Sequence, residues 1–296
     1  GLLPAVRFHL EDSHLAKDAI LSVAEINANR EINEGFLSLD YVFDRNFKTL
    51  FKELDPEFYR EIAEMDMETF VCSMMELRER VDAFQLFKAE YTEAEKSIRR
   101  RESVIWKEML AVLSFAMNYP AKYLSAEDTL RLQKSLMPLI SIVIAFVPQS
   151  SVEDLLALYQ AGVLKLIAVG DDSEIEINEE GGITYHYKDE ENRLQSQYYK
   201  TFVDCVGQPH LTFEEFPYKS LLLGGTVSPA LLKFKDQQQG LEAYERGDLT
   251  IVKDEIGSFH LKVPGIAIND SFQVVDRYNA LNERIYMMAV PFMGGY

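Results

Sequence analysis

The sequence predicts a mixed α and β protein, either α+β or α/β, in which a large helical block precedes a smaller strand-rich part. Apolar residues recur every three or four positions over 11–162, the spacing of helices that bury one face. Beyond Gly162 the pattern changes to short apolar or alternating runs, which are typical of strands. Hydrophobic residues make up 47% of the 296 residues, an ordinary globular content that argues against general disorder.

Helix boundaries are predicted from polar residues that can cap an N-terminus and from Gly or Pro residues that end a helix. Ser125 has Asp128 three residues later, a capping-box spacing that opens a helix. The first predicted helix follows Asp12 or Ser13, has apolar residues from Leu15 to Ile26, and stops at Gly35. The other predicted helices are 43–54 before Asp55-Pro56, 57–101, 102–118, one opening at Ser125, and one capped by Ser150 or Ser151 that ends at Ala161-Gly162.

The longest apolar stretch, Leu136–Val147, is interrupted by Pro138. It is shorter than the roughly 20 residues that cross a bilayer, so we expect a buried helix and no membrane partner. No signal-peptide pattern is visible, which favours a cytoplasmic protein. The sequence begins at Gly1 rather than Met, and we therefore expect a fragment of a longer chain.

The strand-rich part opens with an apolar run at 163–169. Residues 174–178 and 183–187 alternate between polar and apolar on either side of a Gly-Gly turn, which predicts a hairpin. The acidic residues of this hairpin alternate with Ile175 and Ile177, so we expect a half-buried strand with a solvated acidic face rather than a calcium site. Further strands are predicted at 198–206, 250–252, 272–275 and 284–290, with a helix at 228–245.

The charge balance excludes one class of partner. The chain has 48 Asp+Glu against 30 Lys+Arg, a net charge of -18, and such a surface repels the phosphate backbone of nucleic acids. The tight basic run Arg99–Arg101 follows acidic residues on a predicted helix, and we expect it to be solvent-exposed. Cys72 and Cys205 are too few for a disulfide framework or a zinc site, and we expect reduced, buried thiols.

No motif of a complete catalytic or phosphate-binding site occurs in the sequence. The G-x-G-x-x-G, G-x-x-x-x-G-K-[ST], H-E-x-x-H and G-x-S-x-G patterns are all missing. His9 and His14 are five residues apart and do not share a helix face, so no metal site is predicted. Cys205 is close to His210 and could be a reactive thiol, although an inert core cysteine is the commoner arrangement. The catalytic residues stay unassigned, and it is open whether the chain is an enzyme.

Three segments carry a resemblance to a known family. Gly1–Arg7 looks like the stretch after the second strand of a nicotinamide-binding domain. Thr201–Pro209 is similar to a strand after which the chain crosses between two domains, and 265–291 is similar to a closing segment before a Gly-containing loop against a flavin. Together they resemble bacterial FAD/NAD(P)-binding flavoproteins with two dinucleotide-binding domains, distantly similar to N-hydroxylating monooxygenases. Val206 stands where that family usually has Thr, and Pro291–Gly295 replaces its usual Gly-Asp.

The resemblance implies a domain arrangement and two cofactors. Residues 1–10 would be an edge segment of the dinucleotide-binding-like domain, 11–162 a helical insertion, and 163–296 the strand-rich remainder. The Gly-rich loops would lie upstream of residue 1. The intact parent would therefore hold FAD and NAD(P), and this chain alone would hold neither. A missing N-terminal part or a homo-oligomer would complete the assembly.

The resemblance also implies a cofactor-binding edge. Flexible backbone after strand 198–206 would lie at a strand's carboxyl end, where open α/β sheets bind ligands. Glycines after strand 284–290 would allow close approach to a flavin. The residues concerned are Gly207, Gln208 and Pro209 at the crossing between domains, and Pro291, Gly294 and Gly295 near the flavin.

The function that follows is a partial chain of an FAD/NAD(P)-dependent oxidoreductase, inactive alone, which acts on a small-molecule substrate of unknown identity. The helical block would cover the site or bind a partner. The alternative is a non-enzymatic helical module for protein interaction. Exposure of one apolar stripe would favour that alternative, although such a stripe is more often core: Phe70, Met74, Met75, Phe84 and Phe87.

Overall fold

The structure is a computed structural model that describes residues 19–145, 147–167, 169–170, 172–189, 191–205 and 210–292. The chain forms two compact units. The first comprises Gly1–Val147 together with His210–Tyr296, and the second comprises Pro148–Pro209. A run of helices is followed by small sheets, so the predicted mixed α and β class is confirmed.

The helices of the first unit begin at polar caps. Ser22 caps a helix that starts at Val23, inside the first predicted helix, and ends at Ile32, shortly before the predicted stop at Gly35. Caps at Asp66 and Asp82 accept N–H groups of new first turns, and they divide the single helix expected over 57–101 into three. The helices are α1 Val23–Ile32, α2 Leu39–Asn46, α3 Phe51–Leu54, α4 Pro56–Ile62, α5 Met67–Glu79, α6 Ala83–Arg100, α7 Ile105–Met117, α8 Ala126–Arg131 and α9 Met137–Ile144.

These helices pack around one apolar core. The rings of Phe43, Phe47, Phe51 and Phe70 contact one another, with centroid separations of 5.1 to 5.5 Å. Helix α7 is buried over most of its length against them. Burial of apolar surface at roughly 25 cal/mol per Å² is the main stabilisation of such a bundle.

A π-helical turn, Leu132–Leu136, separates α8 from α9. Pro138 accounts for it, because a proline nitrogen cannot donate to the carbonyl of Lys134 four residues back. The N–H of Met137 donates instead to the carbonyl of Leu132, five residues back. The apolar stretch from position 136 is helical up to Ile144, as predicted, but only one face of it is buried, with Leu139, Ile140 and Val143 in the core and Ile142 exposed.

The second unit contains one helix and a three-stranded antiparallel sheet. Ile177 pairs with Ile183 across a turn, so the predicted hairpin is confirmed. Helix α10 ends at Gln160 and is followed by Gly162 in a left-handed conformation, also as predicted. The elements are α10 Gln149–Gln160, β1 Glu174–Ile177, β2 Ile183–Lys188 and β3 Leu194–Tyr199.

Other expectations for this unit are wrong. Helix α10 begins directly after Pro148, which places Ser150 and Ser151 in its first turn rather than at its cap. Residues 163–167 form no strand, because the N–H groups of Val163 and Leu164 donate to the Leu158 carbonyl at the end of α10. The strand expected over 198–206 is β3, which ends at Tyr199.

Strand β1 is also more exposed than expected. Ile177 is 82% exposed and Ile175 is exposed as well, although one face of this strand was expected to be buried. Alternation indicates which side chains share a face, but it does not reveal whether the sheet has a partner to cover that face.

Two antiparallel sheets complete the first unit. The helix expected over 228–245 starts as strand β4, and Asp236 then caps a shorter helix. Strand β6 was not predicted, because Pro264 and Gly265 interrupt its otherwise clear alternation. The elements are α11 Lys219–Leu223, β4 Pro229–Lys233, α12 Gln237–Glu245, β5 Ile251–Lys253, β6 Phe259–Ile266, β7 Gln273–Val275 and β8 Leu281–Tyr286, with sheet orders β4-β6-β5 and β7-β8.

Helix α8 joins the helical part to these sheets. Ser125 accepts the N–H of Asp128 and caps the helix, as predicted. The carboxylate of Glu127 accepts the N–H groups of Lys235 at 3.1 Å and Asp236 at 2.7 Å. Ala126 is buried in the core of the β4-β6-β5 sheet. This contact sets the position of the sheets against the helices within the first unit.

The thiols and the basic run were predicted with different success. Cys72 and Cys205 are free and exposed, so the expectation of buried thiols is wrong. The hydrogen bond of Cys72 to Glu76 raises the pKa of the thiol, which makes it a weak nucleophile. Arg99–Arg101 is exposed, as predicted. In the described chain no single helix has the length and apolar character to cross a bilayer.

Candidate functional site

Most of the residues assigned to a cofactor by resemblance lie outside the described residues. This holds for Gly207, Gln208, Pro209, Gly294 and Gly295. Pro291 is described and lies in the 3₁₀ turn Val290–Phe292, where its carbonyl accepts the N–H of Leu211 at 2.8 Å. That hydrogen bond ties the end of the chain to the segment that re-enters the first unit.

The described residues do not fit a dinucleotide-binding site. Such sites lie at the carboxyl edge of a parallel sheet, with the pyrophosphate at a helix N-terminus reached through a Gly-rich loop. The strands of the described sheets pair in antiparallel fashion, and the loop motif is missing from the sequence. Chemistry on FAD or NAD(P) would have to rely on residues other than those described.

A cavity of about 770 Å³ opens within the first unit. One wall comes from the end of α7, the 3₁₀ turn Pro120–Tyr123, α8, the π-helical turn and α9. The rest of the lining comes from the loop before β7 and from His210. The volume falls in the range of roughly 300–1,000 Å³ that is typical of small-molecule sites. Apolar side chains dominate the lining: Met117, Leu124, Leu132, Met137, Ile140 and Phe272.

Lys122 supplies a positive charge to this cavity. Its ammonium hydrogen-bonds to the Asp270 carboxylate and lies 4.0 Å from the centroid of the Tyr119 ring and 5.1 Å from that of Tyr123. Burial lowers the pKa of Lys122, but the hydrogen bond and charge of Asp270 outweigh it and the pKa is raised. The ammonium therefore stays charged at neutral pH, held by a carboxylate on one side and two aromatic faces on the other.

The two tyrosines form a paired aromatic platform under that ammonium. Their hydroxyl oxygens are 3.4 Å apart and their rings meet edge to face. The hydrogen bond with Tyr119 raises the pKa of Tyr123, so the Tyr123 phenol remains neutral near pH 7. The guanidinium of Arg30 lies 4.2 Å from the centroid of the Tyr123 ring, on which Lys122 also acts. The platform is thus fixed by two cations.

The facing wall is a strained turn. Asn269 accepts the N–H groups of Ser271 at 3.0 Å and Gln273 at 2.9 Å, and this turn holds Phe272 at a φ of 63°. A bulky residue in the left-handed region costs energy, and such strain is concentrated at ligand sites. The turn presents the Asp270 carboxylate and the Phe272 ring to the same cavity.

The π-helical turn contributes the other irregular part of the lining. Leu132 and Gln133 lie in that turn, and Met137 follows it directly. An inserted residue rotates the side chains that precede it relative to those that follow, and π-turns are frequent at functional sites for this reason. Two unrelated backbone irregularities therefore meet at one cavity.

Sequence reasoning missed these residues. Tyr119 and Pro120 directly follow the predicted helix 102–118 and were assigned no functional role there, and Asn269 and Asp270 belonged only to the segment 265–291 of the family resemblance. The available signals were weak: a lysine two residues after a Pro turn, and an Asx-type turn before a short strand. Neither signal indicates that the two segments, 148 residues apart at Lys122 and Asp270, meet.

A second buried charge cluster has a structural explanation. Lys107 on α7 is only 4% exposed and hydrogen-bonds to Glu93 at 2.5 Å and Glu90 at 3.5 Å on α6. Arg78 on α5 donates to the same Glu90 at 2.7 Å. Because each charge in this cluster faces an opposite one, it joins three helices and leaves no charge to bind a ligand.

The comparisons concern the helical wall of the cavity. Residues 22–144 match the model of the YdhS-like middle domain family. The helical part of this chain is similar to that domain. All cavity residues from α7 to α9 fall inside the match, whereas His210, Asp270 and Phe272 fall beyond it. The YdhS-like segment thus supplies one wall, and the C-terminal segment supplies the other.

One longer relative was found. The uncharacterized protein YdhS of Escherichia coli (strain K12) is 28% identical over 230 residues, which is 75% of this chain. The chain spans about 40% of the length of that relative. No solved structure matches the chain.

Proposed function

We propose that this chain is the small-molecule-binding part of a longer oxidoreductase, and that the cavity between the YdhS-like segment and the Asn269–Phe272 turn receives the substrate. The observation that carries the proposal is the cavity itself. It combines an apolar lining, one charged lysine held by aromatic rings, and two irregular backbone segments that aim side chains into it.

The oxidoreductase part of the proposal rests on the resemblance to FAD/NAD(P)-binding flavoproteins. FAD and NAD(P) would be held by other parts of the longer protein, and a flavin there would carry the redox chemistry. The residues of this chain would bind the substrate, orient it and exclude water. The proposal includes a cytoplasmic location, because two free cysteines and an acidic surface suit that reducing compartment.

The cavity is tested with a neutral probe. Protein labelled with [methyl-¹³C]methionine is titrated with 2-naphthamide to roughly 1 mM, the range of a weak fragment. Met117 and Met137 line the cavity, while Met67 is buried elsewhere in the helical core. The second unit contains no methionine, so probe that binds to its exposed surface gives no methionine signal. We expect shifts at Met117 and Met137 and none at Met67.

A matched pair of variants locates the binding. Gln133→Trp places an indole in the cavity lining, whereas Lys134→Trp places it on the next residue of the same π-helical turn, which is exposed and not part of the lining. Gln133→Trp should abolish the shifts and Lys134→Trp should keep them. Equal shifts in both variants, or no shift at Met117 and Met137 in the unaltered chain, would rule out the cavity as the site.

The oxidoreductase part has its own test. After desalting with excess FAD, this chain should show no flavin absorbance, and the full-length protein that contains it should retain the band and consume NAD(P)H. A flavin band on this chain would contradict the placement of the cofactor elsewhere. A full-length protein without flavin would remove the oxidoreductase assignment and leave the cavity untouched.

A second candidate function is protein interaction. The stripe expected to carry it is not exposed: Phe70 and Phe84 are buried, and Met74, Met75 and Phe87 are half-buried. The observation that favours interaction lies instead in the second unit, where apolar residues of the sheet are open to solvent, Ile177 by 82% and Leu194 by 81%. Exposed apolar side chains on the open outer strands of a sheet favour pairing with another chain.

A further inference from the structure

We propose that the cavity binds an aromatic or similarly apolar carboxylate, with Lys122 as the receptor for its anionic group and Asp270 as an intramolecular stand-in for that group. This inference deepens the proposed function and rests on it, since it names the chemical class of the substrate. The two side chains of the ion pair, Lys122 and Asp270, are held in place to different degrees.

Lys122 is the fixed member of the pair. Its side chain is 22% exposed, and its ammonium lies over the rings of Tyr119 and Tyr123. These cation–π contacts remain whether or not a carboxylate is present. Moving the ammonium away would cost its contacts with both rings and part of the burial of its aliphatic stem.

Asp270 is the exchangeable member. Its side chain is 64% exposed and belongs to a turn, so the carboxylate can rotate into water at little cost. Once it leaves, the Lys122 ammonium presents an open hydrogen-bonding position at the edge of an apolar cavity. A ligand carboxylate can take the position that Asp270 occupies, and its apolar body would then face Met117, Met137 and Phe272.

The opposite assignment is less favourable. A cationic ligand that paired with Asp270 would have to displace the better-held Lys122, or lie beside it with both charges in a partly desolvated site. A phosphorylated ligand with two or more charges would meet a lysine already paired with Asp270, within a chain of net charge -18. A ligand with one negative charge on an apolar body is therefore the one that this wall accommodates best.

The test compares three probes of one shape by [methyl-¹³C]methionine titration: 2-naphthoate, 2-naphthamide and 2-naphthylmethylammonium. Met117 and Met137 again report the cavity. We expect 2-naphthoate to bind at least about tenfold more tightly than 2-naphthamide, the usual size of a hydrogen bond to a charged group. The ammonium probe should bind most weakly, and added salt should weaken only the naphthoate.

Variants assign the preference to the two side chains. Lys122→Met should remove the preference for naphthoate and keep the binding of naphthamide, and Lys122→Arg should retain the preference. Asp270→Asn should tighten naphthoate by about two- to fivefold, because the competing carboxylate is gone. Lys134→Met and Glu283→Gln are matched controls, since both side chains are exposed and neither belongs to the cavity lining, and they should change nothing.

The outcomes separate this inference from the proposed function. Equal binding of naphthoate and naphthamide, or a preference for naphthoate that survives in Lys122→Met, overturns the inference but leaves the cavity as a binding site. Tighter binding of the ammonium probe also overturns it and assigns recognition to Asp270. No shift of Met117 or Met137 with any probe overturns the inference and the proposed function together.

Discussion

Gly265 occupies a backbone position that only a residue without a Cβ can take. It lies in β6 at a φ of 96°, and a Cβ added there would stand 2.1 Å from the carbonyl oxygen of Phe292. No heavier residue fits without moving the 3₁₀ turn that ends the described chain. The packing of Phe292 against Phe216, with ring centroids 5.2 Å apart, depends on that turn.

We therefore expect Gly265→Ala to destabilise the first unit more than a change of backbone preference would. Gly247 is the matched control, because it has a φ of 82° and open space around it. Gly247→Ala should cost about 1 kcal/mol from the left-handed conformation alone, and Gly265→Ala about 1–3 kcal/mol more from the clash. Urea unfolding followed by circular dichroism measures both, and equal losses would contradict the close contact.

Asp189 is a second residue whose role is set by its local contacts, here the hydrogen bonds of the turn between β2 and β3. Its carboxylate accepts the N–H groups of Arg193 at 2.9 Å and Glu191 at 3.0 Å, with side-chain donors from Arg193 and Gln195. These hydrogen bonds lower its pKa from 3.8 to about 2. A carboxyl with a lowered pKa stabilises the folded state fully above the unfolded value and loses that contribution as pH falls towards the folded one.

The β2–β3 turn should accordingly lose stability between about pH 4 and pH 2. A carboxyl-¹³C titration should show Asp189 with a midpoint near pH 2. Asp189→Asn should weaken the hairpin at neutral pH and flatten this part of the pH dependence, whereas Glu180→Gln in the neighbouring turn should do neither. A midpoint for Asp189 near 3.8 would show that the turn does not hold the carboxylate in solution.

At the scale of elements, Arg131 joins three helices that are distant in sequence. It donates to Asp40 of α2 at 2.7 Å, Glu68 of α5 at 2.8 Å and Asp128 of its own α8 at 2.8 Å. The hydrogen bond with Glu68, followed by that with Asp40, raises the pKa of the guanidinium. A planar fork with five donors suits three carboxylates in a way that lysine does not.

Removal of this guanidinium should leave three carboxylates facing one another. We expect Arg131→Met to lower the free energy of unfolding by about 1–3 kcal/mol, and Arg131→Lys to recover only part of it. Arg99→Met removes an exposed arginine of α6 and serves as the control. Urea midpoints compare the three variants, and a midpoint for Arg131→Met that matches the control would reduce the cluster to a surface ion pair.

Helices were easier to predict from the sequence than strands. Ser125, the stop at Ala161-Gly162 and the helical apolar stretch could be read locally, because caps and stops act over a few residues. The breaks at Asp66 and Asp82 were missed, since the apolar stripe runs on through them. Strand β6 was missed because Pro264 and Gly265 mask its alternation, and 163–167 was mistaken for a strand because short apolar runs carry no distinctive period.

At the scale of the whole molecule, the second unit has a sheet whose outer strands are open. Strands β1 and β3 each pair with β2 alone among the described strands, and both expose apolar side chains. An open, apolar edge strand is a template for pairing with another chain. A second copy of this protein offers the same edge.

We expect this chain to self-associate with rising concentration. Sedimentation velocity should show the association, and the double variant Ile177→Lys/Leu194→Lys should remain monomeric because a charge on each outer strand opposes pairing. Ile32→Lys replaces an equally exposed isoleucine, 84%, on α1 of the first unit and should associate like the unaltered chain. A monomer at every concentration would argue against the interaction function.

The cavity could not be predicted from the sequence for a reason that belongs to the whole chain. Its lining joins the segment 114–140 with His210 and with 270–272, which are distant in the sequence. Local patterns predict elements, but they do not predict which distant elements meet. The residues assigned by resemblance came from continuous segments of the sequence. Most of these residues lie outside the described ranges.

The distance in sequence between the two cavity walls has a consequence for synthesis on the ribosome. The helical wall is complete once Ile140 has emerged, but Asp270 and Phe272 follow roughly 130 residues later, which at about 5–20 residues per second takes on the order of ten seconds. During that interval Met117, Leu132 and Met137 would lack the cover that the C-terminal wall of the cavity provides. The nascent chain is then a target for holdase chaperones, and slow translation of the C-terminal part would lengthen its exposure.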